Sequence, residues 1–127
     1  MDKPRIILVD DEKDFVETLA KRIAHRGNID VEYTYTGEDA LEKIRDCGRY
    51  DVAVIDVKMP GMDGLETLVE IKKMCPRLMV IFLTGHASVE TGQEGIRKGA
   101  FDYMTKPVEF NELMDKINAA LQSKQLP

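Results

Sequence analysis

The sequence lacks the features that mark several large classes of protein. No apolar run approaches the length of about 20 residues that a membrane-spanning helix needs, and the first residues, MDKPR, do not lead into a secretory signal. Neither of the glycine-rich phosphate-binding patterns, GxGxxG and GxxxxGK, occurs, which disfavours a nucleotide enzyme. Internal repeats and low-complexity tracts are also absent. We therefore expect a cytoplasmic protein without a membrane segment.

Basic residues are in the minority, and cysteine is scarce. The 23 acidic residues outnumber the 18 basic ones and give a formal net charge of -5. Non-specific binding to nucleic acid or to an anionic membrane surface is therefore not expected, whereas divalent cations or basic partner patches are favoured. Cys47 and Cys75 are far apart and lack CxxC or zinc-ligand spacing. We expect them to be two ordinary reduced thiols.

The residues that are present form an alternating pattern. With 127 residues, 43% of them hydrophobic, the chain is long enough for one compact domain, which we place at residues 1–123 with a tail or linker start at 124–127. Apolar runs of strand length occupy residues 5–9, 31–35, 52–55, 78–83 and 101–104, and helical periodicity follows each run. Because right-handed crossovers carry helices over the sheet, this alternation predicts a single doubly wound α/β domain with a five-stranded parallel sheet.

Polar residues stand at the carboxyl ends of four of the predicted strands, where ligands of doubly wound sheets bind. Asp10 and Asp11 follow the first strand, and Asp56 ends the third. Thr84 ends the fourth strand, and Lys106 follows the fifth. Adjacent carboxylates beside a buried strand are unfavourable unless a cation binds, so the acidic pair suggests a metal site. Alone, the pair is explained equally well by the preference of acids for a helix start.

In order and spacing these motifs resemble the receiver domain of bacterial two-component response regulators, which has a chemotaxis-regulator-like fold. The resemblance rests on ILVDDE, VIDVKMPGMDG, LTGHAS and FDYMTKP, and it covers nearly the whole chain. It implies the sheet order 2-1-3-4-5. It also implies that Asp56 accepts a phosphoryl group from a phosphohistidine on a sensor histidine kinase or phosphotransfer protein. The domain would catalyse only its own phosphorylation and dephosphorylation, without turning over a separate substrate.

The resemblance also implies a magnesium site. Asp11 and Asp56 would bind Mg²⁺ directly, together with the main-chain carbonyl of Lys58, and Asp10 would orient a metal-bound water. Mg²⁺ suits this role because it takes hard oxygen ligands and retains several waters. Its charge would assist the attack of a carboxylate on a phosphoryl group.

Further roles carry over to the positions that match the family's motifs. Lys106 would contact one phosphoryl oxygen, and Thr84 would donate a hydrogen bond to another. Movement of Thr84 and an inward turn of Tyr103 would then remodel the face formed by the fourth helix, fifth strand and fifth helix. That face would control an output domain, a partner or a second copy of the chain. Lys58 and His86 would flank the path of attacking water and set the lifetime of the phosphoryl group.

The fourth predicted helix, around residues 89–97, contains Gly92 and Gly95. Each interior glycine disfavours a helix by about 1 kcal/mol relative to alanine. Gly92 also occupies a position where the helical pattern calls for an apolar side chain. We predict that this is the least ordered helix before phosphorylation and the element on which the switch acts. The alternative is that the glycines allow close packing.

Three other interpretations were weighed. A haloacid-dehalogenase-type phosphatase needs a second acid two residues after the nucleophile, where this chain has Lys58. A flavodoxin-like flavin module needs a phosphate-binding loop of Ser, Thr and Gly after the first strand, where this chain has DDEKD. A degenerate receiver that serves only as a protein-binding module remains the main alternative, although every expected site residue is present.

Overall fold

The computed structural model of the chain describes residues 3–85 and 89–125, in which strands and helices alternate. The elements are β1 (Arg5–Val9), α1 (Lys13–His25), β2 (Asp30–Thr34), α2 (Gly37–Ile44), β3 (Val52–Asp56), α3 (Gly64–Met74), β4 (Met79–Thr84), α4 (Val89–Arg97), β5 (Asp102–Thr105) and α5 (Phe110–Gln125). The five strands are parallel and lie in the order β2-β1-β3-β4-β5. Both the fold class and the strand order are thus confirmed. Within the described ranges, no helix is long and apolar enough to span a membrane.

The sheet is buried on both faces. Along β1, Ile6 and Leu8 join the apolar cluster beneath α1 and α5, whereas Ile7 and Val9 join the cluster beneath α2 and α3. All four side chains are at most 1% exposed. A parallel strand that is covered on both sides carries apolar residues at successive positions, which is why residues 6–9 of β1 and 52–55 of β3 are continuous apolar runs.

Strands β3, β4 and β5 each extend one residue beyond the predicted apolar run at the carboxyl edge, and β3 and β4 end on predicted site residues. Asp56 is the last residue of β3 and pairs with Leu83 of β4. Thr84 is the last residue of β4 and pairs with Thr105 of β5. Because the sheet's main-chain hydrogen bonds continue to these residues, their side chains project from regular strands rather than from flexible loops.

Capping hydrogen bonds fix the starts of α2 and α3. The side chain of Thr36 accepts the N–H of Asp39 at 3.0 Å. Asp63 and Glu66 form a capping box, in which each side chain accepts the main-chain N–H of the other residue. An N-cap of this kind contributes about 1 kcal/mol to helix stability.

The glycines of α4 face the sheet at very short range. A Cβ atom at Gly92 would lie 2.4 Å from the ring of Tyr103, and one at Gly95 would lie 2.4 Å from the ring of Phe82. No L side chain fits at such distances without movement of the ring or the helix. The structure therefore shows the close-packing alternative, and position 92 has no room for the apolar side chain that the helical pattern called for.

The prediction of two free thiols is wrong. A disulfide joins Cys47 to Cys75, whose Cα atoms are 5.4 Å apart. Cys47 follows the end of α2 and Cys75 caps the end of α3, and these two helices are neighbours on the same face of the sheet. The sequence separation of 28 therefore did not reveal that the two cysteines are close in space.

Candidate functional site

Three carboxylates converge at the carboxyl edge of the sheet. Asp10 and Asp11 follow β1, and Asp56 ends β3, which is paired with β1. One carboxylate oxygen from each residue can be chosen so that all three lie within 4.8 Å of one another. Asp10 and Asp56 are only 2% and 5% exposed, whereas Asp11 is exposed to solvent. The cluster thus has two buried carboxylates, and it is open to solvent on the side of Asp11.

Burial makes the negative charges of this cluster costly. The pKa of Asp56 is raised to about 6, first by burial and then by the charge of Asp10. Burial likewise raises the pKa of Asp10. Carboxylates in this situation are stabilised by a cation that neutralises their mutual repulsion.

The ammonium group of Lys106 is one such cation, and it contacts the buried part of the cluster. Its Nζ lies 2.9 Å from Asp10 Oδ2, 2.8 Å from Glu12 Oε1 and 3.6 Å from Asp56 Oδ1. Burial lowers the pKa of Lys106, but hydrogen bonds to the carboxylates of Glu12 and Asp10 outweigh burial and raise it. The ammonium group is therefore charged at neutral pH and within reach of Asp56.

The main chain of β4 and β5 holds Lys106 in position. The N–H of Lys106 donates to the carbonyl of Thr84 at 2.7 Å, and the Lys106–Pro107 peptide is cis. The Thr84 side chain is 1% exposed, and its Oγ1 donates to the carbonyl of Met104 at 3.5 Å. Tyr103 precedes Met104 on β5 and is half-buried beneath α4.

The loop between β3 and α3 forms the open side of the site. Lys58 is exposed and lines, together with Asp11, an open pocket of about 540 Å³. The loop returns closely to the strand end, because a Cβ atom at Gly64 would lie 2.5 Å from the carbonyl oxygen of Asp56. Gly64 also donates its N–H to the carbonyl of Val57 at 2.8 Å. Val57, Lys58 and Met59 line the same pocket as Asp11.

The structure brings most of the predicted site residues to one edge of the sheet. Asp10, Asp56 and Lys106 are in direct contact or nearly so, Asp11 completes the acidic cluster, and Thr84, Tyr103 and Lys58 lie on the adjoining elements. His86 lies outside the described residues. The contact between Glu12 and Lys106 was not predicted. The available signal was the position of Glu12 directly after the acidic pair, as the third acid of DDEKD.

The donor set fits Mg²⁺. Carboxylate oxygens are the hard ligands that this ion prefers, and the open side beside Asp11 leaves space for the waters that it keeps. No sulfur or imidazole group belongs to the acidic cluster found among the described residues, so a softer metal is not favoured.

Comparison with known proteins agrees with this geometry. Residues 6–118 match the family model of the response regulator receiver domain. The chain belongs to this family. It is 35% identical over 116 residues to the transcriptional regulatory protein ZraR of Salmonella typhimurium, and 37% identical over 122 residues to the regulatory protein AtoC of Escherichia coli. These alignments cover 91% and 96% of the chain, but only 26% of each relative. The receiver domain therefore spans about a quarter of the length of these relatives.

A solved structure shows the same likeness in three dimensions. The response regulator receiver domain protein of Clostridium thermocellum superposes with a TM-score of 0.91 at 32% identity, over 96% of this chain and 97% of that one. At this similarity the receiver fold of the chain is established over nearly its full length. The chain is the phosphoacceptor type of signalling domain found in two-component response regulators.

Proposed function

We propose that Asp56 is the residue that accepts the phosphoryl group, from a phosphohistidine on a sensor histidine kinase or phosphotransfer protein. The observation that carries this assignment is that Asp56 is one of the three clustered carboxylates and also lies 3.6 Å from Lys106 Nζ. Asp10 lies closer to Lys106, at 2.9 Å, but its two oxygens already accept hydrogen bonds from Lys106 Nζ and from the N–H of Glu12. Asp56 is thus the carboxylate that can attack phosphorus with a positive charge beside it.

We further propose that the acidic cluster works with Mg²⁺. Asp11 and Asp56 would hold the ion directly with the main-chain carbonyl of Lys58, and Asp10 would hold one of its waters. When bound, the ion neutralises negative charge on the carboxylates and on the phosphoryl oxygens. Support comes from the grouping of the three carboxylates and from the open pocket that Asp11 and Lys58 share.

The chain's own residues have distinct parts in the transfer. A carboxylate oxygen of Asp56 forms the new bond to phosphorus while the phosphorus–nitrogen bond of the phosphohistidine breaks, and the imidazole leaves with the electron pair. Lys106 would stabilise a phosphoryl oxygen from its present position near Asp56. Thr84, at the end of the adjacent strand, would donate a hydrogen bond from its hydroxyl group to another phosphoryl oxygen.

The signal would leave through the face formed by α4, β5 and α5. Thr84 and Tyr103 connect the site to this face, because Thr84 ends β4 and Tyr103 packs from β5 against α4. We propose that this face controls an output domain, a separate partner or a homodimer in the cytoplasm. The larger size of the transcriptional regulators similar to this chain supports an output domain.

Mass spectrometry after incubation with Mg²⁺ and acetyl phosphate tests the assignment. One acid-stable, base-labile phosphoryl group is expected on Asp56, and Asp56→Asn should abolish it. Asp63→Asn is a matched control, because it removes a carboxylate from the same loop while asparagine still caps α3. Undiminished labelling of Asp56→Asn, or labelling without divalent metal, would contradict the proposal. Complete absence of labelling would instead favour a domain that only binds a partner.

A further inference from the structure

Glu12 makes the shortest of the three ion pairs of Lys106. The Nζ atom is 2.8 Å from Glu12 Oε1 but 3.6 Å from Asp56 Oδ1. We infer that Glu12 is a positioning residue that competes with the phosphoryl group for Lys106 and slows phosphorylation by doubly charged phosphodonors. This inference rests on the proposed role of Asp56 as the acceptor.

The main chain of Glu12 is held by hydrogen bonds, whereas its carboxylate is exposed to solvent. The N–H of Glu12 donates to Asp10 Oδ1 at 2.9 Å, and its carbonyl accepts the N–H of Val16 at 3.0 Å. Glu12 occupies the N-cap position of α1, but its side chain makes no capping hydrogen bond. The side chain is 63% exposed, whereas that of Lys106 is 18% exposed. An exposed carboxylate on a fixed main chain gives an ion pair that forms readily and breaks readily.

Glu12 opposes the reaction in two ways that act in the same direction. The ammonium group of Lys106 has three N–H donors and already faces the carboxylates of Asp10, Glu12 and Asp56. A phosphoryl oxygen therefore has to replace one of these acceptors, and the short contact with Glu12 competes with it. The carboxylate of Glu12 also repels an incoming phosphodonor that carries negative charge. Removal of the charge of Glu12 should therefore accelerate phosphorylation.

The repulsion by Glu12 depends on the charge of the phosphodonor. A purely structural role of Glu12 would change the rates with all donors equally. Acetyl phosphate approaches as a dianion at neutral pH, whereas phosphoramidate carries about one negative charge. For equal geometry the repulsion energy is proportional to the donor's charge, whereas release of Lys106 accelerates both reactions equally. We therefore expect Glu12→Gln to accelerate phosphorylation by both donors and to raise the ratio of the acetyl phosphate rate to the phosphoramidate rate about twofold, for a repulsion partly screened by water.

The kinetic experiment compares Glu12→Gln with Asp14→Asn at saturating Mg²⁺ and with both phosphodonors. Asp14 is an exposed acid in the first turn of the same helix, and its substitution changes the net charge equally. Among the described residues, Lys106 forms ion pairs with Asp10, Glu12 and Asp56 but not with Asp14. The ratio of the two donors' rates should rise in Glu12→Gln and stay unchanged in Asp14→Asn. An unchanged ratio in Glu12→Gln, slower phosphorylation, or an equal change in both variants would overturn the inference.

A second measurement tests the contact without metal or phosphodonor. The side-chain NMR resonances of Lys106 should shift in Glu12→Gln and remain in place in Asp14→Asn. Unmoved Lys106 resonances would overturn the inference even if phosphorylation changed. If Asp56 of the unmodified protein were not labelled at all, the proposed function would fail, whereas the NMR result would still decide whether Glu12 holds Lys106.

Discussion

Gly92 lies directly against the ring of Tyr103, so that a Cβ atom at position 92 would come within 2.4 Å of ring carbon atoms. The ring is half-buried on β5, and it fills the space that a side chain of α4 would otherwise take. Tyr103 is also the residue proposed to turn inward when the site is phosphorylated. The lack of a side chain at Gly92 therefore sets how close the helix lies to the switch residue.

Gly92→Ala should destabilise the resting protein by about 1–2 kcal/mol. Alanine favours a helix by about 1 kcal/mol over glycine, but overpacking against a ring costs about 1–3 kcal/mol and outweighs that gain. In a Tyr103→Ala background the same substitution should instead stabilise the protein by about 0.5–1 kcal/mol. Urea unfolding of the unmodified protein, the two single variants and the double variant measures the coupling between the two positions. Equal effects of Gly92→Ala in both backgrounds would show that the ring does not limit position 92.

Amide hydrogen exchange tests whether α4 is the switch element. We still expect residues 89–97 to exchange faster than α1 at rest, because two interior glycines weaken the helix despite their close packing. Treatment with beryllofluoride and Mg²⁺, which imitates the phosphorylated state, should increase their protection. Protection equal to that of α1 at rest, with no gain on activation, would assign the switch to another element.

The lifetime of the phosphoryl group should depend on Lys58 and His86. By resemblance to the family, both side chains would flank the path of attacking water, and their bulk is expected to shield the acyl phosphate. Lys58→Ala combined with His86→Ala should therefore shorten the half-life of the phosphorylated domain, as measured by loss of label after removal of the phosphodonor. Lys73→Ala, at an exposed position of α3, is a control for loss of a surface lysine. Unchanged or slower decay in the double variant would contradict shielding.

The fold and the acidic cluster were predictable from sequence because they depend on local patterns. Alternating apolar runs predict the strands, and the ends of parallel strands meet at one edge, so Asp10 and Asp56 had to approach each other once the strand order was known. Contacts between side chains of separate loops and helices were not predictable in this way. These contacts include Glu12 with Lys106, Gly92 with Tyr103, and Cys47 with Cys75.

The disulfide should contribute substantially to stability. Cross-linking residues that are 28 positions apart restricts the unfolded chain, and the entropy estimate for such a loop is about 3–4 kcal/mol. Addition of a dithiol reductant should lower the free energy of unfolding by that amount, and thiol titration in denaturant should count two thiols only after reduction. Two titratable thiols before reduction would contradict the cross-link.

Single substitutions separate the cross-link from packing. Under reducing conditions Cys47→Ser should have little effect, because position 47 is exposed, whereas Cys75→Ser should be costly at a site that is 3% exposed. Without reductant, both variants should lose the stabilisation that the disulfide gives. If reduction changed the stability of Cys47→Ser as much as that of the unmodified protein, the stabilisation would have another source.

The charge of Asp56 should destabilise the metal-free protein above pH 6. Burial raises the pKa of Asp56 from an ordinary value of 3.8 to about 6, so the folded state holds this proton more tightly than the unfolded state. The contribution of Asp56 to stability is therefore complete below about pH 4 and is lost as the pH rises to about 6. The loss is at most about 3 kcal/mol, since each pKa unit corresponds to about 1.4 kcal/mol.

Asp56→Asn removes this titration, and the variant should therefore be more stable than the unmodified protein by about 2–3 kcal/mol at pH 8. The difference should shrink towards pH 4, where Asp56 is protonated in the folded state. Urea unfolding across this pH range in the presence of a chelator gives the measurement, with Asp63→Asn as the control for loss of a neighbouring carboxylate. Saturating Mg²⁺ should narrow or reverse the difference at pH 8, because an ion that binds the folded state stabilises the unmodified protein. A stability difference that stayed constant from pH 4 to pH 8 would show that the pKa of Asp56 is not raised.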